Sequence, residues 1–321
     1  MKTIGILLFA LTALSVSASP QYFENDVYPK WYLESLPGHS VKTINLSTGV
    51  KLEYVEQGDK DGIPVILLHG FPDSWRSYEQ VLNYLPKSLH VFAISQRGHG
   101  NSDKPAQGYF PGDFATDLAA FIKAMKLPPA IIVGHSMGAS ITQQFVVKYP
   151  ELVRGFVLEG AMASFADKKD LADYKSLVDQ LKDPLDTAMT REFQQSTLAN
   201  PISEDYFNIL LQESMKVKAH VWKGVWKGLM TANYRAELHE VEKPALIIWG
   251  EKDSFGPRAD QEFFVTAIKG SQLIEYKGIG HSLHWEQPKR FAQDVANFIE
   301  SINKTADRKS TRLNSSHPYR S

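Results

Sequence analysis

The stretch that most constrains the fold is Ala130-Ile131-Ile132-Val133-Gly134-His135-Ser136-Met137-Gly138-Ala139-Ser140. Its four leading apolar residues read as a short buried strand. Ile141, Phe145, Val146 and Tyr149 then recur at helical spacing. Between the two lies Gly134-x-Ser136-x-Gly138, so a strand must turn sharply into a helix. Such a turn strains the serine backbone, and its flanking glycines let strand and helix approach without a Cβ clash. The Ser136 hydroxyl is thereby presented at a strand's C-terminal end, beside the first N–H groups of a helix, which suit a developing negative charge. On this reading Ser136 is a nucleophile. The plain alternative is a glycine-rich β–α turn with a serine cap.

Around this stretch the chain alternates buried strands with amphipathic helices. Residues 41–46 and 51–57 flank Ser47-Thr48-Gly49 as a hairpin, and further strands are expected at 64–68, 90–94, 130–133 and 155–158. Helices are expected at about 75–85 and 112–125, and after Ser136. This rhythm means a mostly parallel sheet of eight strands with helices on both faces. It breaks between Met162 and Leu238, where only helical patterns appear, as at 171–181, 204–215 and 220–230. Strands at 245–249 and 272–276 and helices at 257–268 and 287–302 complete it. The expected organisation is a core of 40–161 and 239–303, with a helical cap, 162–238, inserted after strand 6.

Composition narrows the partners. The 321 residues are 43% hydrophobic, enough for a sizeable core. The 35 basic and 36 acidic residues are well mixed, which points away from nucleic acid or an anionic membrane surface. The absence of cysteine excludes disulfides, thiolate nucleophiles and cysteine-held metals. No metal-ligand cluster or cofactor motif is evident, so no cofactor is expected, and a small-molecule substrate is the expected partner.

Both ends read as processing segments. Met1-Lys2-Thr3 is a basic start, Ile4 to Leu14 an apolar run, and Val16-Ser17-Ala18 a small-residue cleavage site. Residues 1–18 are expected to be a secretory signal peptide, placing the mature protein in the periplasm or outside the cell. No later apolar run reaches membrane-spanning length. From about Asp307 the chain matches one reading frame of a sequencing-library adapter, and 307–321 is expected to be a disordered scar. Asn45-Leu46-Ser47 and Asn303-Lys304-Thr305 would accept glycans only in a eukaryotic secretory host.

A serine nucleophile needs a base, and the base an orienting acid. His281, in the Gly-flanked loop after the last strand, is the candidate base, with His284 its rival. Asp253, just after the penultimate strand, is the candidate acid; Glu251 is its neighbour, and Glu159, after the preceding strand, is the other acid at that edge. The chain order Ser136, Asp253, His281 is the one expected of one fold. An oxyanion hole is expected from the backbone N–H groups of Met137 and Phe71.

Together, His69-Gly70-Phe71-Pro72, Arg97 to Ser102, Gly134 to Gly138, Gly250 to Asp253 and Gly280-His281 resemble the α/β-hydrolase superfamily, over roughly Val41 to Ile302. Phe71 to Trp75 is similar to the epoxide-hydrolase and dehalogenase branch, whose members carry Asp where this chain has Ser136. Attack by a carboxylate on an sp³ carbon leaves an ester that water cleaves, whereas a serine would leave an ether. Ser136 therefore points to acyl carbonyl substrates, as in a carboxylesterase or lactonase. A serine aminopeptidase or perhydrolase on the same triad stays open, as does a slow or non-catalytic ligand-binding protein. Haloperoxidase chemistry on haem or metal has no ligand set. Tyr174, Tyr206 and Tyr234 are read as lining or supporting the pocket, and Val221 to Trp226 as helix packing or substrate contact. The resemblance implies Asp where this chain has Gln96; Arg97 to Ser102 is read as a structural turn.

Overall fold

A computed structural model of the protein describes residues 39–165 and 169–315. The expected signal peptide, 1–18, lies outside the described residues, as do 316–321 of the tail. Eight strands form one sheet: β1 (Val41–Asn45), β2 (Lys51–Gly58), β3 (Pro64–Leu68), β4 (His90–Ser95), β5 (Ala130–His135), β6 (Val153–Glu159), β7 (Ala245–Gly250) and β8 (Gln272–Tyr276). Their order is β1-β2-β4-β3-β5-β6-β7-β8. Only β2 is antiparallel to its neighbours β1 and β4. The other pairs are parallel, in the register Leu67↔Val133 and Gly134↔Leu158 through the centre.

The central strands are apolar without a break because both faces are covered. Ile66 and Leu68 of β3 and Ile132 of β5 pack on one layer with Phe114, Phe121 and Phe145. Val65, Leu67, Ile131 and Val133 turn the other way, onto Trp75, Tyr78, Phe291 and Phe298. The first layer holds α2 (Pro111–Ala124) and α3 (Met137–Lys148); the second holds a 3₁₀ turn (Trp75–Tyr78), α1 (Glu79–Leu82) and the final helix (Pro288–Ser315). Each ring withdrawn from water contributes about 2–3 kcal/mol. A Cβ on Gly138 would run into the Leu68 carbonyl oxygen, so only glycine lets α3 start against the end of β3.

The helices depart from the sequence expectation in three places. The single helix expected at 75–85 is a 3₁₀ turn followed by one turn of α-helix. The final helix continues past Asp307 to Ser315, where a disordered tail was expected. The insertion carries four helices: α4 (Lys169–Gln180), α5 (Thr187–Ser196), α6 (Glu204–Met215) and α7 (Ala219–Leu229). The sequence pattern does not signal α5. The insertion is also not purely helical. Ser164 and Asn233 form an isolated antiparallel bridge, and the Phe165 N–H donates to the Ala232 carbonyl at 3.2 Å. Because β6 and β7 are neighbours in the sheet, the chain leaves and re-enters side by side, and backbone pairing closes the base of the insertion.

The Arg97 loop has the structural duty expected of it. Arg97 makes two 2.6 Å hydrogen bonds to buried Asp117 and a third to the Gly108 carbonyl. Glu53 receives Ser95, the Asn101 N–H and the Asn101 amide.

Candidate active site

In a parallel sheet the loops after β3, β5, β6, β7 and β8 emerge at one edge. Ser136 stands at the start of α3 with φ 50° and ψ −111°. A non-glycine residue in that region is strained by about 1–3 kcal/mol, which its surroundings must hold in place. Two of the constraints are the Ser136 N–H donated to the Glu159 carbonyl and the Ser140 N–H donated to the Ser136 carbonyl, both 3.0 Å. The side chain stays half-exposed in an otherwise buried turn.

His281 and Asp253 are brought together. The His281 Nδ1 lies 2.9 Å from both Asp253 oxygens, with the acid's side chain fully buried and the imidazole nearly so. Asp253 is itself fixed, because its Oδ1 accepts the N–H groups of Phe255 (2.8 Å) and Gly256 (2.9 Å). An acceptor facing Nδ1 places the proton there and leaves Nε2 as the basic nitrogen. Gly160, one residue beyond the carbonyl that holds Ser136, has φ 54° and lies under the His281 ring; a Cβ there would stand 3.0 Å from Nδ1. The β6 loop thus holds Ser136 through the Glu159 carbonyl and, by having glycine at 160, leaves room for the His281 ring. Gly160 did not stand out in the sequence.

The alternatives are also placed. Glu159 pairs with His284, not His281: its Oε1 accepts the His284 N–H (3.0 Å) and lies 2.8 Å from His284 Nδ1, and both side chains are fully buried. Glu251 is exposed and accepts the Gly278 N–H. Tyr206 is buried and donates to the Arg76 and Ser77 carbonyls. Tyr234 is half-buried, and burial raises its phenol to about 12. The side chain of Tyr174 lies outside the described residues.

Met137 is buried and Phe71 half-buried on the facing loop. Among the described residues, neither backbone N–H has a hydrogen-bond acceptor, as an anion site requires. The Phe71 loop is clamped by Gln96, whose backbone N–H donates to His69 Nε2 (3.0 Å) and whose amide donates to the His69 carbonyl (2.9 Å). Gln96 therefore holds the turn where the resemblance led one to expect Asp.

Beneath the site runs a buried polar chain. Gln194 of α5 donates to Asp73 Oδ1 (2.7 Å), and Ser77 Oγ lies 3.3 Å from Asp73 Oδ2 and 2.8 Å from His284 Nε2. Burial pushes both Asp73 and Glu159 up to about 7, against the lowering effect of their hydrogen-bond and histidine neighbours. Burial likewise holds His135 and His284 well below the usual imidazole range, so both are neutral at pH 7. His135, Glu159 and His284 offer ligand atoms within 4.8 Å of one another, a grouping the sequence reading did not foresee. Two of the three are already hydrogen-bonded to each other, and we assign the group no metal.

The raised carboxyls carry a stability consequence. Each binds its proton more tightly in the folded chain than in the unfolded one, where the pKa is about 4. That contribution is complete below about pH 4 and is lost as pH rises through 7, on the order of 4 kcal/mol per carboxyl. Asp73→Asn, which mimics the protonated acid, should gain stability relative to the parent between pH 5 and pH 8.5. Urea unfolding at the two pH values checks this; an unchanged difference would mean that Asp73 is ionised throughout.

The chain matches the family described as alpha/beta hydrolase fold over residues 63–288. It is 28% identical to a non-heme chloroperoxidase from Streptomyces lividans, over 81% of this chain and 99% of that protein. It is 25% identical to epoxide hydrolase 3 from Xenopus tropicalis, over 79% of this chain and 76% of that protein. Among solved structures, esterase RhEst1 from Rhodococcus sp. ECU1013 superposes with a TM-score of 0.74 at 26% identity, over 82% of this chain and 99% of that one. With the eight-stranded sheet and the helical insertion after β6, these findings mean that the chain belongs to the α/β-hydrolase fold family.

Proposed function

We propose that the protein is a serine hydrolase that cleaves an ester-type carbonyl through an acyl-enzyme on Ser136. The observation that carries the reading is the His281 Nδ1 at 2.9 Å from both oxygens of buried Asp253, on the same edge as the strained Ser136. Ser136 Oγ attacks the carbonyl carbon while His281 Nε2 takes its proton. The Met137 and Phe71 N–H groups receive the negative charge on the carbonyl oxygen. The C–O bond then breaks, and the leaving alcohol departs with the proton from His281. Water, deprotonated by the same imidazole, attacks the acyl carbon and releases the acid and Ser136. Asp253 stabilises the imidazolium at each stage.

Esterase RhEst1 supports the ester as the substrate class. The basic start and apolar run of residues 1–18 support reading them as a leader and the place of action as the periplasm or outside the cell. A panel of p-nitrophenyl esters of increasing acyl length and of simple lactones tests the reading on protein that begins near Ser19. Saturable turnover of at least one ester or lactone is expected. A chain that binds these compounds and turns none over is a ligand-binding protein instead.

A further inference from the structure

The helical insertion reaches the turn that carries one of the two proposed oxyanion donors. Gly70-Phe71-Pro72-Asp73 is closed by the Asp73 N–H, donated to the Gly70 carbonyl at 3.1 Å. Gln96 clamps the leading side of this turn at His69. The trailing end is Asp73, and its side chain is held from the insertion. Gln194 Nε2 of α5 donates one hydrogen to Asp73 Oδ1 and the other to Ser214 Oγ of α6, both at 2.7 Å. Helix α6 is itself pinned behind the turn, where the Tyr206 hydroxyl meets the Arg76 and Ser77 carbonyls. One amide thus joins two helices of the insertion to the oxyanion turn. Gln194, Asp73 and Ser214 are all buried, so water does not stand in when the bond is lost. The turn also has little slack. A Cβ on Gly70 would stand 2.6 Å from His135 Nδ1 and 3.3 Å from Asp73 Oδ2. A shift of Asp73 is therefore passed to Gly70 and to the peptide that bears the Phe71 N–H. Packing alone does not call for an amide here, because apolar groups of the same shape in place of both partners are nearly neutral. What the amide adds is a fixed distance and direction.

We propose that Gln194 is a positioning residue for the oxyanion: through Asp73 it sets the direction of the Phe71 N–H. A residue of the insertion then takes part in stabilising the transition state. This rests on the serine-hydrolase reading. An oxyanion donor acts on charge that develops during the reaction, so its misalignment is felt in the transition state and not in the binding of a neutral carbonyl.

The test compares a trifluoromethyl ketone with the methyl ketone of the same alkyl chain, that of the best ester in the panel. Ser136 Oγ adds to the carbonyl carbon of the trifluoromethyl ketone and its proton passes to His281. The ketone oxygen becomes an anion facing the Met137 and Phe71 N–H groups. The methyl ketone binds without adding. In Gln194→Met, which keeps the length and loses the donor, the ratio of the methyl-ketone Ki to the trifluoromethyl-ketone Ki is expected to fall about tenfold, with kcat falling alike and KM steady. Gln194→Asn draws the amide back by one methylene and makes the same prediction should the methionine protein not fold. Asp73→Asn keeps an acceptor for Gln194 and should lose far less than either. A parental Ki ratio in a folded Gln194 variant would make the amide a packing residue and overturn the proposal, as would a loss confined to KM. Fluorophosphonate labelling of the parent keeps the two readings apart. A parent that labels while its Gln194 variants keep the parental ratio overturns the positioning role alone; a parent that neither labels nor turns over overturns the hydrolase reading, and the role with it.

Discussion

Ser136→Ala is expected to lower kcat/KM for every ester by about 10⁴–10⁶-fold and to abolish fluorophosphonate labelling, with the fold intact. The size follows from the covalent step. Without Oγ no acyl-enzyme forms, and only the oxyanion donors and binding contacts are left to favour attack by water. The fold should tolerate the change because alanine fits the same turn at φ 50°, and Ser136 is held there by its backbone N–H and carbonyl. Thermal melting alongside single-turnover kinetics checks both halves. Turnover or labelling that persists in a folded Ser136→Ala protein would move the nucleophile elsewhere.

Asp253→Asn should cost about 10⁴-fold in kcat, far more than Glu159→Gln. Two backbone donors, Phe255 N–H and Gly256 N–H, already claim Asp253 Oδ1. An asparagine will keep its carbonyl oxygen toward them and turn its NH₂ toward His281 Nδ1. That nitrogen must then act as the acceptor, the proton moves to Nε2, and the imidazole cannot take one from Ser136. Glu159 touches His284, so its amide variant leaves the His281 tautomer alone. The two variants are compared at pH 8 on one p-nitrophenyl ester. Equal losses would return Glu159 to candidacy as the acid.

What could be read in advance and what could not divides along physical lines. The strands and their loops were legible because parallel strands buried on both faces are unbroken apolar runs, and each ends in a turn with its own glycines. Ser136, Asp253 and His281 sit in such turns. Helix α5 was silent for the opposite reason. Its buried face includes Thr190 and Gln194, which are polar, so hydrophobic periodicity does not reveal it. Gln194 has its reason in Asp73, 121 residues earlier in the chain, and no local pattern announces a pair that distant. The burial of Asp73 and Glu159 was hidden in the same way, since a carboxyl is raised by what surrounds it in space. Trp222 reads in the sequence only as an aromatic of the insertion; that its buried indole N–H finds no acceptor among the described residues is visible only in three dimensions.

Helix α5 also ends in a contact with a mechanical meaning. The Thr197 carbonyl, which follows it, accepts the backbone N–H groups of both His281 (2.8 Å) and Ser282 (3.1 Å). The loop carrying the base is therefore moored to the insertion as well as to the sheet. A swing of the insertion that lifted α5 would strip two donors of their acceptor and slacken the mooring of the imidazole. The position of the His281 backbone therefore depends on the insertion staying seated against the sheet.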